Sequence, residues 1–216
     1  SWFVHIPGIK VLAPAFASDY KNLLNESIKQ PGPTIVIEHR WLHELDSKLI
    51  KKRKKTNLAN LLSKGKSITI VSYSYSTIEI LQLKEILNKS GVHFDHIDLC
   101  SLKPLKYDLI YKSVKKTGKL IILDNQSHNI CSIGKDIISH LIERDQKIFK
   151  ITPKLLTLPE YPSPTSHYLT KKFYVNKETI LKNISEMTKI KIKDKNKTNI
   201  KKLMHDIPNL SFNGPF

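Results

Sequence analysis

Asp95, His96 and Asp98 crowd into the stretch Gly91-Val-His-Phe-Asp-His-Ile-Asp-Leu-Cys100, and carboxylates beside an imidazole are the usual material of proton transfer. In an extended strand successive side chains take opposite faces. Phe94, His96 and Asp98 therefore share one face, and Asp95, Ile97 and Leu99 the other. Asp98 would stand near the carboxyl end of its strand, where open parallel sheets bind ligands. The competing reading, which we favour, is a turn residue that bonds backbone amides. His128 follows another strand and is the best lone candidate for polar chemistry, although an exposed loop histidine is the commoner explanation. His39 and His43 have the i, i+4 spacing of helical zinc ligands. They lack the glutamate that completes a hydrolytic zinc motif, so the spacing is read as fortuitous.

Other catalytic patterns are missing. The 7 glycines are scattered and form neither a dinucleotide fingerprint nor a P-loop, and no serine sits in a Gly-x-Ser-x-Gly elbow. Cys100 and Cys131 are too few for a disulfide framework, lack metal-ligand spacing, and fit a reducing, cytoplasmic setting.

The elements that would position these residues alternate regularly. Ile68-Thr-Ile-Val-Ser-Tyr73 and Lys119-Leu-Ile-Ile-Leu-Asp124 are β-branched or apolar runs that flank the Gly91–Leu105 stretch in sequence. Between them the spacing predicts a helix after a capping box at Ser76-Thr-Ile-Glu79, closed at Gly91, and a second over 107–117, closed at Gly118. A third helix is expected over 133–144, a strand at Lys147–Ile151, and an irregular proline-rich segment from Thr152 to Thr165. Asn176 should cap a final helix. Earlier, Lys10–Ala13 reads as a strand, Ser18 as the cap of a helix running to about Lys29, and Thr34–Glu38 as a buried parallel strand. One β-α-β unit cannot cover its own sheet, so its neighbours are expected from residues upstream or from another chain.

The composition is 40% hydrophobic and 25% charged, with no run long enough to suggest a membrane span and no export signal. The net charge of +17 raises nucleic acid as a partner. Against that, the lysines are dispersed, apart from runs at Lys51–Lys55 and 189–202, and few aromatics lie among them to stack on bases. The run near 51–55 is read as a solvated connection. Leu203–Phe216 carries apolar residues and little charge, and is expected to dock on a partner or on its own domain.

Several blocks in order carry a resemblance. Val92–Leu105, with Ile97-Asp-Leu99 and Leu102-Lys-Pro104, is similar to the "I-D-L-R-t-l-k-P-l-D" signature of the transketolase C-terminal domain, as found in beta subunits of pyruvate and branched-chain 2-oxoacid dehydrogenases. Gly65–Tyr73, Ser113–Gly118, Gly134–Ile138 and Pro159–Pro164 resemble further blocks of that family, and His5–Pro14 and Pro33–Glu38 resemble the preceding domain. The sequence departs from the pattern at Cys100, where the family has arginine, at Lys106, where it has aspartate, and at Ser132, where it has glycine.

The resemblance implies a three-layer α/β/α fold with a mostly parallel sheet, preceded by the end of a pyrimidine-binding-type α/β domain. The expected layout is residues 1–40 for that domain end, 41–66 for a basic linker, 67–188 for the C-terminal domain and 189–216 for a basic tail with an apolar end. It further implies the C-terminal portion of a thiamine-diphosphate-dependent 2-oxoacid dehydrogenase beta subunit or a transketolase-like enzyme, N-terminally truncated and inactive alone. The family's cofactor-activating glutamate and catalytic histidine lie upstream of the matching blocks, so no catalytic, thiamine diphosphate or magnesium residue carries over. A structural potassium ion would use carbonyls at Ser27, Ile28, Gln30 and Gly32. Implied partners are an alpha subunit or a missing N-terminal half, a second copy through the C-terminal domain, and an acyltransferase core, with neither membrane nor nucleic acid. The alternative is a non-catalytic interaction module, or a split subunit completed in trans.

Overall fold

β-branched runs give the strands and amphipathic stretches the helices of this computed structural model, which describes residues 2–43 and 57–192. In order these are α1 (Trp2–His5), β1 (Lys10–Leu12), α2 (Ala17–Ile28), β2 (Thr34–Val36), β3 (Ala59–Ser63), β4 (Ile68–Ser72) and α3 (Tyr75–Lys89). Next come β5 (Phe94–Leu99), β6 (Ser101–Lys103), α4 (Tyr107–Thr117), β7 (Leu120–His128), α5 (Ile133–Arg144), β8 (Lys154–Leu158), α6 (His167–Phe173) and α7 (Lys177–Thr188).

The larger sheet has the order β3-β5-β4-β7-β8. β5, β4, β7 and β8 run parallel, with Ile70 opposite His96 on one side and Ile121 on the other, while β3 closes one edge antiparallel to β5. Every residue of β4 and β5 is buried, as strands covered on both faces require. Val71, Ile97, Leu99 and Ile122 pack with Ile110 and Val114 of α4 and Ile137 and Leu141 of α5. On the opposite face Ile70, Phe94, Ile121 and Leu123 pack with Ile80 and Leu87 of α3 and Ile180 and Ile184 of α7. This is the expected three-layer α/β/α arrangement. Each fully buried aliphatic side chain contributes about 1.5–3 kcal/mol from removal of apolar surface from water.

A second sheet, β2-β1-β6, is shared between the two halves of the sequence. β1 pairs parallel with β2 and antiparallel with β6. β6 follows β5 with only Cys100 between them, so the backbone leaves one sheet and enters the other at that residue. The amide of Ala13 donates to the Cys100 carbonyl at 2.9 Å, and Val11 and Ala13 join the same core as Tyr73 and Leu102.

Several helix ends follow the sequence expectation. Gly118 closes α4 with φ 69°, Asn176 Oδ1 accepts the Thr179 amide at 2.9 Å, and Gly91 has φ 82°. Other local expectations are corrected. α3 starts at Tyr75 after an N-cap at Ser74, which places Ser76 inside the helix, so the Ser76–Glu79 capping box does not form. Likewise α2 starts at Ala17 after Phe16, putting Ser18 in its first turn. Residues 147–151 do not form a strand. Ile148 turns back to bond the Asp145 carbonyl at 3.1 Å and Lys150 donates to Gly118 at 2.8 Å, so the strand is delayed until Lys154, between Pro153 and Pro159. The 41–66 span contains β3, because Leu58 to Leu62 offers enough apolar surface to pair with β5. The Lys51–Lys55 run and Leu203–Phe216 lie outside the described residues.

Candidate functional site

At the carboxyl ends of β4 and β5 a chain of buried polar side chains runs across the sheet. His96 Nε2 lies 2.8 Å from Ser72 Oγ, which is 2.9 Å from Thr77 Oγ1, and Thr77 donates to Asp98 Oδ1 at 2.7 Å. Because Asp98 accepts from Thr77, the Thr77 oxygen accepts from Ser72, and Ser72 in turn accepts from His96. That polarity assigns His96 the Nε2–H tautomer. Its Nδ1 is buried and meets no hydrogen-bond partner among the described residues. Burial, with a smaller contribution from Lys84, lowers the His96 pKa to about 3, so the ring is neutral.

The chain continues beyond Asp98. Cys100 Sγ donates to Asp98 Oδ2 at 3.4 Å, and Asn60 Nδ2 donates to Cys100 Sγ at 3.0 Å and to Asp19 Oδ2 at 3.5 Å. Asp19, Asp98 and Cys100 each bring one ligand-type atom within 4.8 Å of the others. All three are 0% exposed. This junction ties α2, β3, β5 and the start of α3 together at the point where β5 passes into β6. The sequence reading gave Asp98 the backbone amides of the turn as partners; those identified are the Thr77 and Cys100 side chains.

Asp95 points to the opposite face, as alternation requires. Its carboxylate accepts from the Gly65 amide at 2.8 Å, Ser113 Oγ at 2.6 Å and Lys116 Nζ at 2.7 Å, and Ser113 lies 2.7 Å from Thr69 Oγ1. Charge-assisted bonds of this kind are the strong ones in a protein interior. They fasten the β3–β4 turn, β5 and α4 to one another.

The remaining residues picked out by sequence are dispersed. His128 Nδ1 bonds the Pro159 carbonyl and joins the ends of β7 and β8. His39 Nδ1 accepts the Trp41 amide at 3.3 Å and its ring stacks on Tyr75 at 4.9 Å, whereas His43 Nε2 meets Glu38 at 2.9 Å. The two histidines thus serve separate contacts. Cys100 and Cys131 are both free thiols, one buried and one exposed. In the loop after α2, Ser27 O accepts the Lys29 and Gln30 amides, Lys10 Nζ donates to the Pro31 carbonyl at 3.2 Å, and Gly32 has φ 91°.

Sequence reasoning missed Ser72, Thr77, Asn60 and Asp19. Polar residues inside otherwise apolar strands were the available signal for Ser72 and Asn60. The sequence offers none for a partner 81 positions away, as with Cys100 and Asp19.

The smaller sheet ends, among the described residues, on β2, whose three residues are all half-buried. Trp2 and Phe3 of α1, Ile6 just after it, and Leu24 and Ile28 of α2 are exposed, Trp2 at 85% and Ile28 at 76%.

A doubly wound α/β domain, built on parallel strands and carrying a closed polar layer at their carboxyl ends, is the class these features define. The chain belongs to the family "Transketolase, C-terminal domain", which it matches over residues 57–180. It is 31% identical over 166 residues to the acetoin:2,6-dichlorophenolindophenol oxidoreductase subunit beta of Cupriavidus necator, covering 76% of this chain and 49% of that protein. It is 29% identical over 196 residues to the mitochondrial pyruvate dehydrogenase E1 component subunit beta of Saccharomyces cerevisiae, covering 88% and 53%. The chain thus spans about half the length of these curated relatives. A solved structure described as a split gene transketolase, inactive beta4 tetramer, shares the fold with a TM-score of 0.67 at 16% identity, over 88% of this chain and 60% of that one.

Proposed function

We propose that the chain is the C-terminal portion of a thiamine-diphosphate-dependent 2-oxoacid dehydrogenase beta subunit, or of a close transketolase-like relative, and that it supplies subunit assembly rather than catalytic residues. The observation that carries this reading is the edge of β2, which among the described residues pairs on one side only, with Ile28 exposed at the end of the helix that precedes it. A parallel strand with one bare edge and uncovered neighbours calls for further strands and helices on that side. The remainder of the pyrimidine-binding-type domain fills that place, whether joined upstream or supplied in trans as a split subunit.

Thiamine diphosphate and magnesium belong to the completed enzyme in this reading. Asp19, Asp95 and Asp98 are buried within the domain's own hydrogen bonds, so these carboxylates do not fit a site for a divalent ion and a pyrophosphate. No catalytic step is assigned to this chain. An alpha subunit, a second copy and an acyltransferase core are its partners in the assembled complex. For potassium, the carbonyls of Ser27, Ile28, Gln30 and Gly32 are the proposed ligands. The carbonyl end of α2 carries partial negative charge, which favours a cation there. Two free thiols are consistent with a reducing compartment, and we assign the protein to the cytoplasm. Among the described residues no helix is long and apolar enough to cross a membrane.

The test is reconstitution. The purified chain with thiamine diphosphate, magnesium and pyruvate should give no turnover, and adding a polypeptide with the thiamine-binding half, together with an alpha subunit, should produce 2-oxoacid-dependent reduction of an artificial acceptor. Turnover by the chain alone would overturn the assembly role, as would failure of the added half to bind it.

A further inference from the structure

The amino ends of the parallel strands lie at the far side of the larger sheet from the buried polar layer, and there the backbone sets short segments side by side. The Ser67 amide donates to the His93 carbonyl at 2.8 Å, the Thr69 amide to Lys119 at 2.9 Å, and the Lys150 amide to Gly118 at 2.8 Å. Residues 66–67, 93, 118–119 and 150 thus form one rim along the starts of β5, β4 and β7. Lys154, which opens β8 opposite Ile121, extends the rim at one end. Lys64 extends it at the other, next to Gly65, whose amide bonds Asp95 of β5. Lys64, Lys66, Lys150 and Lys154 are exposed and Lys119 is half-buried.

Acidic groups do not balance these five. The Asp95 carboxylate is 2% exposed and is taken up by Gly65, Ser113 and Lys116. Glu85 pairs with Lys89 at the end of α3, and Asp145 accepts the Lys147 amide at 3.1 Å. Among the described residues, none of the ion pairs involves Lys64, Lys66, Lys119, Lys150 or Lys154. The helices differ in this respect. α3 carries Glu79, Lys84, Glu85 and Lys89, and α5 carries Lys135, Asp136, Glu143 and Arg144, so both signs are interleaved on each. Helix dipoles account for lysines in a last turn, such as Lys115 and Lys116 of α4, but the five rim lysines belong to no helix.

We propose that this rim is a docking surface for an acidic polypeptide segment, laid extended across the starts of the strands with its carboxylates against the lysines.

Charge complementarity and the shape of the row select this partner. From β5 to β8 the rim crosses three strand-to-strand steps, about 14 Å in all, and is one residue deep. One extended chain covers that length with about five residues, and its side chains on one face recur every 7 Å or so, within reach of flexible lysine stems. A nucleic acid duplex presents two phosphate backbones across a groove and asks for a second row of cations. A single strand asks for rings on which bases stack, and the exposed tyrosines Tyr161, Tyr168 and Tyr174 all follow β8 in sequence rather than standing among these lysines. No arginine, the residue best shaped for phosphate, stands on the rim. The surface is independent of the assembly proposed above.

Fluorescence anisotropy on the full chain at near-physiological salt tests it, with a labelled peptide of alternating glutamate and serine, about twelve residues long, as the probe. The natural protein should bind the peptide. The triple variant Lys66→Gln, Lys119→Gln, Lys150→Gln, which leaves Lys116 on Asp95, should bind it at least about ten-fold more weakly with its urea midpoint unchanged. A control of equal net charge, Lys21→Gln, Lys135→Gln, Lys182→Gln, should stay within about two-fold of the natural protein. Absence of binding overturns the proposal, as does an equal loss in the control, which would make the effect one of overall charge. Tighter, rim-dependent binding of a labelled DNA duplex or single strand than of the peptide would assign the surface to nucleic acid and would equally overturn it.

Discussion

His96 makes the protein sensitive to mild acid. Its ring is 0% exposed, its Nε2 is bound to Ser72, and burial holds its pKa at about 3 against about 6.5 in the unfolded chain. Above about pH 6.5 neither state binds the proton and the group is silent. As pH falls below 6.5 the unfolded chain takes up a proton that the folded state refuses, so stability is lost at about 1.4 kcal/mol per pH unit until the folded ring protonates near pH 3. Between pH 6.5 and pH 5 the loss is about 2 kcal/mol, a large part of the margin of an ordinary domain. His39, whose pKa is also lowered by burial, adds a smaller loss of the same sign. The assay is urea unfolding from pH 7.5 to pH 4.5, followed for the natural protein and for His96→Phe. Removing the ring lowers stability at every pH, because Ser72 loses a partner, yet the variant should show a shallower slope below pH 6.5 by about one proton. Parallel slopes would refute the reasoning, as would an imidazole resonance of His96 that titrates near pH 6.5 in the folded protein.

Three further outcomes are expected. Gly65→Ala should destabilise by about 3 kcal/mol in thermal or urea unfolding, because an added Cβ would lie 2.1 Å from the backbone of His93 and the turn cannot retreat without breaking the Gly65–Asp95 bond. Asp95→Ala should cost about 1–3 kcal/mol, since it takes the acceptor from the Gly65 amide and the Ser113 hydroxyl while the half-exposed Lys116 ammonium can turn to water, whereas Lys116→Met should cost less because Ser113 and Gly65 still satisfy the carboxylate. Replacing sodium by potassium chloride at constant ionic strength should raise the melting temperature, and substituting Gly32 by alanine, which is strained at φ 91°, should abolish the difference.

What the sequence made legible was local. β4 and the start of β7 are continuous β-branched or apolar runs, and α4 and α5 show a helical period, so these elements and the layering they imply could be read directly. Alternation along β5 also placed Asp95 on one face and His96 with Asp98 on the other, as observed. The misread elements depend on pairing at a distance. β3 is held by its ladder to residues 96–99, and β8 by residues 121–128, so neither announces its position within its own stretch. The Ser76 and Ser18 caps failed because Ser and Thr near a helix start read alike whether they lie outside the first turn or inside it. Within the polar junction the residue types were visible, but the contact of Asn60 with Cys100 and of Cys100 with Asp19 exists only once β6 has carried the chain against β1.

The uninterrupted run of backbone from Phe94 through Cys100 to Lys103 also has a mechanical meaning. A pull on β1 meets β6 side by side, so the ladder bonds between them are loaded together in shear rather than opened one at a time. β6 passes that tension straight into β5, which lies between β3 and β4 in the larger sheet. The two sheets are geared to each other through this run of backbone, and force applied to one of them is felt in the core of the other.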